Sequence, residues 1–148
     1  MTLTDPDTKQ HIDPRHLRRI TLVQQVYAHM FGPERRDKLP DKQIEEEITT
    51  IVNQMNTIDA QIQKYAPKYP LDQVAKADLA ILRVAVYELT IKKTEPTKVI
   101  INEAVELAKE MGSERAFAFV NAVLGAIVQE KPNESAIELE PDLSRSAG

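Results

Sequence analysis

Residues 78–89, DLAILRVAVYEL, decide the fold because they form the most apolar stretch of the chain and contain neither glycine nor proline. Their apolar side chains spread around the whole circumference of a helix instead of forming one stripe, so we expect a helix surrounded on most sides. The apolar run extends from Val74 to Ile91, which is too long for a single strand, and its alanines favour a helix. It is too short and too charged to span a bilayer. The large apolar residues are Leu79, Ile81, Leu82, Val84, Val86 and Leu89.

One charged residue inside this central helix needs a partner. Arg83 should be nearly buried, and a buried guanidinium is tolerated only beside a carboxylate. We expect Glu103 or Glu106, on the following helix, to supply it.

Further helices are predicted on both sides of the central one. Asp13 is a good N-cap and Pro14 fits a first helical turn, which predicts a first helix over about 14–31. Isoleucines at helical spacing predict a second helix over about 41–65, with a possible break near Asn56 or Thr57. Another helix should end at Gly112, and Ser113 should cap the last helix, which runs to about residue 130. The class is therefore all-α.

The two ends of the chain lack helical periodicity. Residues 1–13 and the acidic residues 131–148 are predicted to be disordered. The helical domain is expected over 14–130, with sub-bundles at about 14–66 and 73–130 separated by a proline-containing connector.

Composition excludes several kinds of chemistry. The 148 residues contain no cysteine and only three scattered histidines, so neither a thiolate site nor a histidine zinc site is expected. The sequence has no glycine-rich phosphate loop and no hydrolase or metalloprotease motif. We therefore expect no enzyme activity, no cofactor and no metal. The first residues do not resemble a signal peptide, which predicts a cytoplasmic protein.

Three arginines, Arg15, Arg18 and Arg19, lie at the start of the first helix. This end of a helix favours anions, so cations here are unfavourable unless something compensates. Their spacings of three and four put them on one face, where together with the free N–H groups they could bind phosphates. They could equally form a solvated basic face paired with Asp7 or Asp13.

A second arginine at a helix start favours the phosphate hypothesis. Arg115 is predicted in the first turn of the last helix, followed by Phe117 and Phe119. These two rings point about 200° apart on a helix, so one should remain at the surface. We expect Arg115 to lie beside the first-helix arginines, so that the two helix starts share one anionic ligand, and the spacing leaves open which of the two rings is exposed.

Three stretches resemble the NusB family of bacterial transcription antitermination factors. RHLRRITLVQQVY, residues 15–27, is similar to the arginine-rich first helix of that family. DLAILRVAVYEL resembles the family's central helix, and PTKVIINEAVELAKEMGSERAFAFVNAVLG, residues 96–125, resembles its longest signature. The resemblance covers roughly residues 15–130. It implies two small packed bundles of about six to seven helices.

The resemblance also implies a function and its residues. Family members are expected to bind the boxA element of ribosomal RNA leaders as a heterodimer with NusE, a ribosomal small-subunit protein, and to act with other Nus factors and RNA polymerase. Carried over by position, Arg15 and Arg19 match family arginines. His16 replaces an arginine, and Arg18 replaces a small residue. The implied RNA-binding residues are Arg15, His16, Arg18, Arg19, Arg115 and Phe119. The implied NusE contacts are Tyr27 and Asp78, with Asp78 expected to be exposed.

Two other functions stay open at the level of sequence. One is the RNA-recognition module of a ribosomal RNA methyltransferase, because some of those enzymes carry a NusB-like domain. We expect no catalytic domain beside the NusB-like one, and this expectation favours the adaptor. The other is a helical scaffold that binds only proteins.

Overall fold

The computed structural model describes residues 13–130, and within them the secondary structure is entirely helical. The predicted all-α class is therefore confirmed. Of the ends predicted to be disordered, 1–13 and 131–148, only residue 13 lies within the described residues, and it is the N-cap of the first helix. The helices are α1 (Pro14–His29), α2 (Lys42–Asn53), α3 (Met55–Tyr65), α4 (Lys76–Tyr87), α5 (Thr97–Met111) and α6 (Ala116–Gln129). Short 3₁₀ segments lie at Pro33–Arg35 and Leu71–Gln73, and a π-helical turn (Glu88–Lys92) follows α4.

Helix α1 begins where the sequence predicts. The Asp13 side chain accepts a hydrogen bond of 2.8 Å from the Arg15 backbone N–H, and Pro14 occupies the first turn. Gly32, at a φ of 122°, turns the chain away after the helix. At this φ an L side chain would be strained.

The predicted second helix is two helices. The break lies at Gln54, slightly before the predicted positions Asn56 and Thr57, and Gln54 ends α2 and precedes α3. Its backbone N–H still bonds to the Thr50 carbonyl at 2.9 Å, and its carbonyl accepts the Ile58 N–H at 2.9 Å. The hydrogen bonds thus continue through the bend. No glycine or proline marks the bend in the sequence, and for this reason its position at Gln54 was not predicted.

Helix α4 is the centre of the molecule. Nine of its twelve residues are buried, and it contacts each of the other five α-helices. The buried apolar residues on both sides of the connector around residues 66–73 belong to one continuous core. The division into sub-bundles stays a prediction. Of the helices within residues 13–130, none combines the length and apolarity needed to cross a membrane.

The expected partner of Arg83 is wrong. Its Nε and Nη2 donate to the two carboxylate oxygens of Asp59 on α3, each at 2.8 Å. The bidentate pair joins α4 to the N-terminal half of the chain, whereas Glu103 faces α1. Spacing along the sequence could not show which helix lies beside this face of α4.

Candidate nucleic-acid interface

The three arginines of α1 occupy different environments. The Arg15 side chain is 67% exposed, and its Nε lies 3.6 Å from Asp13 Oδ1. The side chain of Arg18 is 23% exposed and that of Arg19 only 7%. The predicted single basic face is therefore wrong as a description of all three, because Arg19 points into the protein.

Arg19 is held by carboxylates from the segment after α4. Its Nε and Nη2 donate to Glu88 at 2.8–3.2 Å, and Nη2 lies 2.9 Å from Glu95 Oε1. Burial alone would lower the pKa of Arg19, but the bonds to Glu88 and Glu95 raise it above its usual value. Arg19 is thus a permanent cation whose charge is already balanced, and we assign it a structural role.

Arg18 shares a carboxylate with Lys92. Glu47 on α2 accepts Arg18 Nε at 2.9 Å and also Arg18 Nη2, while its other oxygen lies 3.1 Å from Lys92 Nζ. The Tyr87 hydroxyl donates to that second oxygen at 2.9 Å. Burial alone would raise the pKa of Glu47, but Arg18, Lys92 and Tyr87 lower it. Burial and the Glu47 bond raise the pKa of Tyr87, so its hydroxyl stays a donor.

His16 connects the start of α1 to α5. Its Nδ1 lies 2.8 Å from Glu103, and its Nε2 lies 3.1 Å and 3.2 Å from the two oxygens of Glu110. These carboxylates, Glu103 most, raise the pKa of His16. With both ring nitrogens engaged and a side chain 16% exposed, His16 acts first as a link between two helices.

A groove lies along this end of α1. It encloses about 250 Å³ between α1, α2 and the π-helical turn, and we call it the arginine groove. Arg15 and Arg18 also border a second depression of about 410 Å³ at the start of α2, so they form the ridge between the two. The arginine groove is lined by Arg15, Arg18, Arg19, Leu22, Gln43, Glu88, Lys92 and Glu95.

Asp78, which we expected to be exposed as a partner contact, is completely buried. Its oxygens accept the Ser113 N–H at 2.9 Å and the Ser113 hydroxyl at 2.6 Å. The prediction that Ser113 caps α6 is therefore wrong. Ser113 instead joins the loop after α5 to the start of α4. A Cβ on Gly112 would lie 2.7 Å from the Ala108 carbonyl oxygen and 3.0 Å from Asp78 Oδ1, so the junction has no room for one.

The start of α6 separates the two phenylalanines. Phe117 is 41% exposed and Phe119 only 1%, so one ring does remain at the surface, but it is not Phe119. Phe119 packs edge-on against Tyr69 with ring centroids 5.2 Å apart. Phe117 lies under Lys109 Nζ at 5.7 Å from the ring centroid. Exposed Arg115 precedes α6 in the left-handed conformation, at a φ of 70°.

An aromatic pair lies at the opposite end of α1. Tyr27 and Phe31 are 41% and 49% exposed, and their rings meet edge-on at 5.2 Å. Lys76 Nζ, at the start of α4, lies 6.0 Å from the Phe31 ring centroid. We call Tyr27, Phe31 and Lys76 the aromatic patch. Tyr27 was expected at a contact with the protein partner. The sequence did not indicate that Phe31 and Lys76 lie beside it.

Comparison with known proteins identifies the family of this helical arrangement. The model of the NusB family matches residues 16–129. The chain belongs to the NusB family. It is similar to the transcription antitermination protein NusB of Lactiplantibacillus plantarum, with 39% identity over 114 residues that span 74% of this chain and 80% of that protein. NusB of Nitratiruptor sp. is 35% identical over 134 residues, which span 82% of this chain and 96% of its own. The solved structure of T. maritima NusB superposes with a TM-score of 0.70 at 29% identity, covering 85% of this chain and 98% of that one.

Membership in the NusB family gives the general function. The protein is a transcription antitermination factor and not an enzyme, as the missing catalytic motifs predicted. Within the part of the chain that the structure describes, no group of three His, Asp or Glu residues is arranged to hold a metal ion.

Lys92 is a cation of the arginine groove that sequence reasoning missed. It follows the apolar central helix in a short run of two lysines, Lys92 and Lys93, that looks like an ordinary solvated turn. Only the π-helical turn and the Glu47 carboxylate of a distant helix place it beside Arg18.

Proposed function

We propose that this NusB-family protein binds boxA-type single-stranded RNA of ribosomal RNA leaders, as a heterodimer with NusE, in the cytoplasm. In this role it couples the RNA, with other Nus factors, to RNA polymerase. It works by affinity and geometry, since no bond is made or broken.

The arginine groove is the observation that carries the RNA-binding part of the proposal. Exposed Arg15 and the accessible edges of Arg18 and Lys92 form a local cationic surface on a protein whose formal net charge is −4. Phosphate contacts supply most of the sequence-independent affinity of RNA-binding proteins. The site includes Arg15 and Arg18, whereas His16 and Arg19 support it from behind.

The aromatic patch supports the part of the proposal that concerns binding of a protein partner. Tyr and Phe anchors are enriched where protein surfaces meet. Because Tyr27 and Phe31 are exposed side by side while Asp78 is buried, we place the NusE contact at the aromatic patch.

A titration tests RNA binding. Labelled boxA RNA and a scrambled RNA of equal length are titrated with the protein, with and without NusE, at several salt concentrations. Arg15→Glu should weaken binding and lower the slope of log affinity against log salt by about 0.7 to 1. Arg35→Glu, an exposed arginine of the 3₁₀ segment beyond the other end of α1, is the matched control. Equal affinity of the wild type and Arg15→Glu would contradict the proposal.

The balanced charges of Arg18 and Arg19 favour one alternative, a scaffold that binds only proteins. In that case the protein would bind NusE and show no salt-dependent RNA binding. A methyltransferase-type recognition module would instead prefer a structured ribosomal RNA fragment over boxA RNA, and including such a fragment in the titration distinguishes it.

A further inference from the structure

We propose that Arg18 and Lys92 form a phosphate-binding site for the RNA strand, and that Glu47 is an internal counter-ion with which the RNA phosphate competes. This inference rests on the proposed function, because it concerns the same groove. It adds Lys92 as an RNA contact and Glu47 as the residue that limits affinity.

The first step of the argument is the geometry around Glu47. One carboxylate oxygen accepts Arg18 of α1, and the other accepts both Lys92 of the π-helical turn and the hydroxyl of Tyr87. A single carboxylate thus lies between two cations from different elements. Two neighbouring cations repel unless an anion lies between them.

The second step is accessibility. The side chains of Arg18 and Lys92 are 23% and 25% exposed, but that of Glu47 is only 8% exposed. Both cations line the arginine groove, so their remaining N–H donors can meet a ligand in the groove while Glu47 lies behind them. A guanidinium has five N–H donors and an ammonium three, more than the Glu47 contacts use.

The third step is the conformation that brings Lys92 into place. The chain from Glu88 to Lys92 forms a π-helical turn, closed by a 2.9 Å hydrogen bond from the Lys93 N–H to the Glu88 carbonyl. Lys93 then adopts a φ of 53°, which is uncommon for a residue with a side chain. Turns of π-helix are frequent at functional sites. Here the turn directs Lys92 toward α2, where it meets Glu47.

The fourth step is the charge that stays available to RNA. The groove is lined by four cations, Arg15, Arg18, Arg19 and Lys92, against two carboxylates, Glu88 and Glu95, which both bind Arg19. The lining therefore stays positive, and Glu47 behind it opposes that charge. The anionic form of Glu47 therefore repels a phosphate at the position where the two cations attract it.

The experiment uses the full chain and labelled boxA single-stranded RNA at several salt concentrations. Lys92→Gln should lower the salt slope by about 0.7 to 1, as expected for one lost phosphate contact. Glu47→Gln keeps an acceptor for Tyr87 but removes the charge, and it should bind roughly threefold to tenfold more tightly. The matched controls are exposed Lys68→Gln and Glu46→Gln, which should match the wild type. Circular dichroism and thermal melting verify that each variant is folded.

The outcomes separate this inference from the proposed function. An unchanged salt slope for Lys92→Gln, while Arg15→Glu still weakens binding, overturns the phosphate site and leaves RNA binding intact. Equal or weaker binding by folded Glu47→Gln overturns the counter-ion role. If the wild type binds no RNA, the proposed function fails and this inference fails with it. Lys92→Gln decides the site even where Glu47→Gln does not fold, because Lys92 is partly exposed.

Discussion

Arg19 shows how position on a helix changes what one residue type does. Four residues after exposed Arg15, it is buried against Glu88 and Glu95. Removing one member of a buried ion pair leaves the other charge without compensation, which costs about 3 to 5 kcal/mol. We therefore expect Arg19→Ala to lower the free energy of unfolding by about this amount in urea denaturation. Arg15→Ala, the control on the same helix, should change it far less, and equal effects would contradict the structural role.

Asp78 gives a second prediction at the level of one residue. Asp78→Ala leaves the part-buried N–H and hydroxyl of Ser113 without their acceptor, and a donor that loses its partner inside a protein costs about 1 to 3 kcal/mol. We expect lower stability in urea denaturation and unchanged NusE affinity in the folded variant by calorimetry. Ser113→Ala keeps the backbone bond and should cost less. Weaker NusE binding at unchanged stability would restore Asp78 as a partner contact.

At the scale of the helices, local signals predicted most of the fold. Capping and apolar period located α1, α4 and α5 to within a few residues, because these signals depend on neighbours in sequence. The pairing of Arg83 with Asp59, the burial of Asp78 and the choice between Phe117 and Phe119 depend on which helices pack together. The candidate site was predicted in part: its arginines were found from sequence, whereas Lys92 and Glu47 required the tertiary structure.

The link between α1 and α5 predicts a pH effect. The folded-state pKa of His16 is raised, chiefly by its hydrogen bond to Glu103, so the charged imidazole stabilises the fold. This contribution is complete below the unfolded value of about 6.5 and is lost as pH rises through the higher folded value. Urea denaturation from pH 5.5 to 8.5 should therefore show wild-type stability falling relative to His16→Gln above about pH 6.5. The charges facing His16 are Glu103 and Glu110, with Arg19 beside Glu103. A difference in unfolding free energy that stays constant with pH between the two proteins would contradict the link.

At the scale of the whole molecule, α1 connects the two proposed surfaces. Arg15 and Tyr27 are twelve residues apart, which is about 18 Å along a helix. Substitutions so far apart usually have additive effects. We therefore expect substitutions in the proposed RNA surface and in the proposed NusE surface to act independently of each other.

The start of α6 directly follows α5, the helix whose last turn contacts the start of α1. His16 binds Glu110 in the last turn of α5, and this contact brings the end of α5 to the start of α1. Exposed Arg115 lies five residues after Glu110, and exposed Phe117 lies in the first turn of α6. We expect these two residues to continue the RNA surface that begins at Arg15.

The two residues should contribute in different ways. Arg115→Ala should lower the salt slope of RNA binding by about 0.7 to 1 and weaken binding to boxA and scrambled RNA alike, because a phosphate contact carries no sequence information. Phe117→Ala should cost roughly 1 to 3 kcal/mol of binding if its ring stacks on a base, with the salt slope nearly unchanged. The control is Val128→Ala, because Val128 is another exposed apolar residue of α6. Phe119 is buried, so Phe119→Ala should instead destabilise the fold by about 3 to 5 kcal/mol. Wild-type salt slopes and affinities for both Arg115→Ala and Phe117→Ala would confine the RNA surface to the arginine groove.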